Sequence, residues 1–300
     1  MSGMRVSEFM LQLVHKLQQS REITESSANQ YLQTLHSLHG KTPFSNLAWL
    51  KDTTAIDTAL ASFAPSTQKG YITAIVSTLS LFKDKPTYKK TYQHYYDKMM
   101  EARKASTEHD GVKSEKQKEN WIDWDEVQKV KKELKDSLGI TSQKHITPLQ
   151  YANLQKFVVL SLYTDIPPRR NQDYMDMYVV KDYKDDMPKD RNYLDLLHRR
   201  FIFNKYKTAK TYGECVIEIP NTAEKPLMDA IYTLLKYHPL NKPKTKEFKF
   251  LVAHDGSPIN SVNGITRMLN KVFGKKIGSS MLRHIYLTGK FGETNKESEK

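Results

Sequence analysis

Apolar spacing changes character once along this chain, and that change constrains the fold more than any other feature. Over residues 6–17, Val6, Phe9, Met10, Leu13, Val14 and Leu17 recur at intervals of three and four, the stripe of an amphipathic helix. Ala28, Tyr31, Leu32, Leu35 and Leu38 repeat it up to Gly40, and residues 47–63 carry it again with a break around 52–54. Pro65 starts a fourth helix through Tyr71, Ile72, Ile75, Leu79 and Phe82. A fifth, polar helix over 86–105 places Tyr88, Tyr92, Tyr95, Met99 and Met100 on its apolar side. Residues 101–119 (EARKASTEHDGVKSEKQKE) then lose apolar periodicity and fill with charge, the composition of an exposed linker.

Beyond that stretch the pattern is mixed. Helices are predicted over 121–138, with Asp123 or Asp125 near the start and Gly139 as the stop, and over 149–163, which is apolar enough to be buried. Pro167 and Pro168 end the second. Short β signals follow at 178–180, 200–203 and 215–219, and the last two form a hairpin across NKYKTAKTYGE with Gly213 in the turn. Helical spacing returns over 227–237, 259–272 and 281–287. The expected fold is mainly α with a small antiparallel sheet or hairpin. It divides into a helical domain (1–106), a linker (107–120) and a second domain (121–300).

Composition narrows the partner. With 300 residues, 38% hydrophobic and 27% charged, the chain can bury a core in each half. Lys and Arg total 47 against 34 Asp and Glu, and the net charge of +13 favours a polyanion, nucleic acid first. A solvated basic surface is the alternative. Lys69, Lys83, Lys85, Lys89 and Lys90, with Lys98 beyond them, are the candidate DNA contacts of the helical half, and tyrosines interleave with the later ones. The single cysteine, Cys215, cannot form an intramolecular bridge, which implies a reducing, intracellular compartment. No export signal, membrane-spanning run, zinc spacing or glycine-rich phosphate loop is found. Neither a membrane, a cofactor nor a protein-held metal is therefore expected.

Three clusters could carry chemistry. Arg169 and Arg170 follow two prolines after a buried helix, and Asp173 lies one turn beyond Arg170, within reach of its guanidinium. A guanidinium held by a carboxylate can fork two phosphate oxygens, although a salt bridge at a helix start gives the same pattern. Lys207 and Lys210 lie in the hairpin tip, where a lysine can serve as point charge or general acid, or simply as a solvated edge. Arg283 sits among Leu282, Ile285 and Leu287, an unusual place for an unused charge, and His284 beside it reads first as a satisfied core histidine.

Taken in order, an Arg-x-x-Asp after a buried helix, a lysine hairpin and Ser280-Met281-Leu282-Arg283-His284, preceded by a helical domain and linker, resemble the tyrosine recombinase (phage integrase) family. The branch it resembles is that carried by large DNA viruses and related mobile elements. The resemblance covers nearly the whole chain. It implies a SAM-like core-binding domain and a mixed α/β catalytic domain that close around duplex DNA and work as a tetramer on paired sites. Arg170, Lys207 (or Lys210), Arg283 and His284 would be catalytic, Ser280 would replace a histidine of the family's box, and Asp173 would support Arg170. Ser280 can hydrogen-bond a phosphate oxygen but cannot shuttle a proton near neutral pH. The family places a Gly-His motif and a nucleophilic tyrosine after the second arginine. Only Tyr286 follows Arg283 here, inside the arginine's own helix, so no nucleophile is nominated and the chain is read as truncated before it. Strand cleavage and rejoining through a phosphotyrosine is the implied activity. A non-catalytic DNA-binding fragment, a type IB topoisomerase-like protein and an RNA-binding protein are the rivals.

Overall fold

The computed structural model describes residues 5–108, 115–259 and 261–297. The chain divides into two compact units, Met1–Val112 and Lys113–Lys300. The first is helical throughout: α1 (Glu8–Arg21), α2 (Glu25–Leu38), α3 (Thr53–Ala61), α4 (Pro65–Leu79) and α5 (Pro86–Glu108), with 3-10 turns at Ala48–Lys51 and Ser80–Phe82. Local chemistry sets the boundaries. Ser7 caps α1 by accepting from the Met10 amide at 3.2 Å, and Thr24 caps α2 in the same way from Ser27. The break expected around 52–54 falls at Asp52, whose carboxylate caps α3 through the Ala55 amide. The apolar stripes meet in one core that includes Met10, Leu13, Leu32, Leu35, Ile75 and Tyr95. Met100, expected on the apolar side of α5, is instead exposed, because Tyr95 and Met99 already face that core.

The second unit runs α6 (Glu115–Asn120), α7 (Trp124–Asp136), α8 (Pro148–Leu162), α9 (Asn171–Met175), β1 (Met177–Val180), β2 (Asn192–Asp195), β3 (Arg200–Phe203), α10 (Ala209–Tyr212), β4 (Cys215–Glu218), α11 (Leu227–Lys236), β5 (Glu247–Lys249), α12 (Val262–Phe273) and α13 (Ser279–Glu297). Its core gathers α8, α11 and α12 around Phe157, Val158, Leu160, Ile231 and Leu269 and includes Phe201 and Phe203 of β3. A capping box between Thr147 and Gln150, with Pro148 in the first turn, starts α8.

Two expectations change. The sheet is not purely antiparallel: its order is β4-β3-β2-β1-β5, and β1 pairs β2 in parallel, Met177 opposite Asn192 and Val180 opposite Asp195. Residues 181–191 carry the chain back to the start of β2, which allows the parallel pairing. The stretch expected as a linker is partly helical, since α5 continues to Glu108 and α6 occupies Glu115–Asn120; residues 109–114 lie outside the described residues. Among the described residues no helix is long and apolar enough to cross a membrane.

Candidate functional site

The arginine turn is built by the exit from α8. Tyr163 closes that helix, and the Asp165 amide still bonds back to the Ser161 carbonyl at 2.9 Å. Lys131 of α7 ion-pairs with Asp165, and both side chains are buried. Pro167 and Pro168 then hold the chain extended up to Arg170, the N-cap of α9 at φ −77 and ψ 149.

The two arginines have opposite environments. Arg169 is half-buried: its Nε donates to Asp173 Oδ2 at 2.9 Å, and its guanidinium carbon lies 3.9 Å from the Phe203 ring centre and 4.8 Å from that of Tyr206. Arg170 is exposed, and its guanidinium has no hydrogen-bond or ion-pair partner among the described residues. The expected bracing of Arg170 by Asp173 is therefore corrected. Positions three and four apart both lie within helical reach, and Arg169 takes the carboxylate from four residues away. Burial pushes the Asp173 carboxyl above the usual carboxylate range, opposed chiefly by Arg169 and less by Arg170.

The lysine-bearing connection, residues 204–214, is tied to the same place. Asn192, buried at the start of β2, donates to the carbonyls of Asp173 (2.8 Å) and Lys205 (2.9 Å) and accepts from the amides of Asn204 and Lys205. One side chain thus uses four bonds to join the end of α9 to the end of β3. The Tyr206 hydroxyl donates to the Gly213 carbonyl at 2.8 Å and closes the connection, whose tip contains the one-turn helix α10 in place of a simple turn. Lys207 and Lys210 both project from it exposed. Lys207 directly follows Tyr206, whose ring lies against Arg169.

α13 supplies the second arginine. A Cβ at Gly289 would lie 2.7 Å from the Trp124 Cβ, so this glycine lets α13 approach α7, and Tyr286 meets Trp124 edge-on at 5.4 Å. Leu282, Ile285 and Tyr286 are buried, Arg283 is half-buried, and Ser280 and His284 are exposed on the flank next to it. The expectation of a core histidine at 284 is overturned: on α13 the buried positions fall to 282, 285 and 286, and 284 points away.

Beneath the two arginine elements lies a polar cluster. The Tyr163 hydroxyl, fully buried, donates to Asn171 Oδ1, and Asn171 Nδ2 donates to Thr266 Oγ1 at 3.0 Å. Ser279 hydrogen-bonds the same tyrosine. Burial raises the Tyr163 pKa, the Asp173 carboxylate adds to this, and the Ser279 bond and the Arg283 charge oppose it. Tyr163 therefore feels both Asp173 and Arg283 and bonds Ser279, which brings the arginine turn and the start of α13 to one locality. Tyr163, Asn171, Asn192, Tyr206 and Thr266 were not singled out from sequence. Asn171, directly after the arginine pair, was the available signal.

In the helical unit the candidate lysines do not form one patch. Lys69 lies in the first half of α4 and lines a groove of about 610 Å³ with Gln30, Tyr31 and Thr34 of α2 and Ser66, Thr67 and Thr73 of α4. Lys83, Lys85, Lys89 and Lys90 sit exposed past the other end of α4, roughly 20 Å away at helical rise. The Lys85 ammonium lies 5.2 Å from the Phe82 ring centre. Elsewhere, Asp182, Asp195 and His198 could converge on a cation at the end of β2 remote from Asn192. Arg200 already pairs with Asp195 and Lys184 with Asp182, so their charge is neutralised. Comparison with protein-family models, curated proteins and solved structures returns no match.

Proposed function

We propose that the chain binds duplex DNA and presents one backbone phosphate to Arg170, Lys207 and Arg283, as a site-specific strand transferase of the tyrosine recombinase type. The observation that carries this reading is the pairing of an unengaged, exposed Arg170 with a half-buried Arg283 across a cluster in which buried Tyr163 and Asn171 bond half-buried Ser279 and Thr266, beside a lysine turn tied in by Asn192. Two guanidinium forks would take the non-bridging oxygens and stabilise charge that grows as the phosphorus becomes five-coordinate. Lys207 would deliver a proton to the departing 5′ oxygen. Ser280 and His284, exposed beside Arg283, would add hydrogen bonds to the same phosphate. A tyrosine hydroxyl attacking phosphorus would give a 3′-phosphotyrosine and a free 5′ hydroxyl, and the reverse attack rejoins the strand.

The basic groups of the helical unit would hold the flanking duplex, and a tetramer on paired sites is the assembly this reading implies. The second reading is duplex binding without cleavage. It is favoured by the burial of Tyr163, which feels the Arg283 charge, and of Tyr286, which follows Arg283 on the same helix, since a buried hydroxyl does not reach an exposed phosphate. A nicked duplex that lets the cleaved end diffuse away separates the two. In a form of the protein that carries the family's nucleophilic tyrosine after Arg283, the transferase reading predicts a covalent protein–DNA adduct on a denaturing gel that disappears in Arg170→Ala and Arg283→Ala. Binding with no adduct favours the second reading.

A further inference from the structure

Arg169 stands where the arginine turn meets the base of the lysine-bearing connection. Its Nη1 lies 3.5 Å from the Cys215 Sγ, and its guanidinium covers the Phe203 ring; these residues face each other across the β3–β4 ladder. Its charge is engaged by Asp173, and its face by Phe203 and Tyr206. A cation so occupied is unavailable to a phosphate. What it can do is fix geometry, because a planar guanidinium can bond a carboxylate along its edge while its faces contact rings, which an ammonium cannot.

We propose that Arg169 is a positioning residue that sets the turn carrying Lys207 against the phosphate held by Arg170 and Arg283. The inference rests on the duplex-DNA reading above. Lys207 is one peptide step, about 3.8 Å between Cα atoms, from Tyr206, and its own side chain is exposed, so its placement is inherited from the backbone beneath it. Asn192 pins that backbone at Lys205, and the Tyr206–Gly213 bond closes the loop. The Arg169–Tyr206 contact supplies the remaining constraint, tying the loop to the residue next to Arg170.

The test is lysine footprinting of the full chain by acetylation, with and without a short duplex DNA at low salt, read residue by residue by mass spectrometry. In the wild type, DNA slows acetylation of Lys207 as well as of Lys83 and Lys85. Arg169→Lys and Tyr206→Leu lose that protection at Lys207 by about tenfold, because the stacked contact is gone. Protection at Lys83 and Lys85 persists in both, which shows that the variants fold and bind. Tyr206→Phe, which keeps the ring, retains protection at Lys207. Full protection of Lys207 in Arg169→Lys or Tyr206→Leu overturns the inference, as does equal loss at every lysine. A wild type protected at Lys83 and Lys85 but not at Lys207 overturns the phosphate-site reading, and protection nowhere overturns duplex binding; the inference falls with either.

Discussion

In the helical unit the buried polar side chains among the described residues are the hydroxyls Ser77, Thr78 and Thr91, whereas the unit with the arginine turn buries Lys131, Asp165, Asn171, Asp173, Asn192 and His238 among others. The contrast extends to partners. Lys131 finds Asp165 34 residues away, Asn171 finds Thr266 95 residues away, and Gln155 donates to the Val252 carbonyl 97 residues away. Apolar packing is non-directional and tolerates adjustment, while each of these bonds demands one geometry. The first unit is thus held mainly by area, with few directional bonds such as that from the Tyr95 hydroxyl to the Leu50 carbonyl, and the second also by a set of buried polar partners that fix positions.

The largest expected effect breaks that set. Asp165→Ala leaves Lys131 buried without its carboxylate, and should cost about 3–5 kcal/mol in urea unfolding. Replacing both partners by apolar residues of similar size should cost far less; equal costs would mean that the pair is incidental. The second effect is on pH. His238 is buried, its Nδ1 accepts from the Leu240 amide, and its Nε2 donates to the Phe250 carbonyl, so burial holds its pKa down to about 4 from 6.5. The unfolded chain binds the proton first as pH falls. This contribution is therefore fully present above pH 6.5 and lost toward pH 4, about 3 kcal/mol in all. Unfolding of His238→Gln followed against pH should lack that slope.

Smaller effects lie in the helical unit. The Thr78 hydroxyl is buried with no hydrogen-bond partner among the described residues, so Thr78→Val should leave stability unchanged or raise it by about 1 kcal/mol on thermal unfolding. A clear loss would show that directional bonds matter there too. Lys83→Ala and Lys89→Ala, both exposed, should move stability by no more than about 0.5 kcal/mol, and each should lower the log–log salt slope of duplex binding by about 1 if it contacts a phosphate.

The same contrast explains what could be read from the sequence. Helices of the first unit follow from spacing and caps, which are local: Met10, Leu13, Val14 and Leu17 are buried as their intervals require. Arg200–Phe203 is likewise a strand with the expected bounds. β2, NYLD, was missed because Tyr193 and Leu194 are its only apolar residues and Asn192 and Asp195 break the strand pattern, and its place is fixed by pairing with both β1 and β3. β5 has three residues and depends on β1. At the candidate site, residue types were legible but partnerships were not. Asp173 was within helical reach of both arginines, and only the rings of Phe203 and Tyr206 decide which one it holds.

The central claim is that Arg170 and Arg283 hold one DNA phosphate while the neighbouring Arg169 does not. Titration of a fluorescent duplex with the full chain at fixed salt tests it most directly. The account predicts that Arg170→Ala and Arg283→Ala each weaken binding by about tenfold with the unfolding temperature unchanged, and that combining them adds little beyond the stronger single effect, since both serve the same phosphate. Wild-type affinity in the double variant would contradict it.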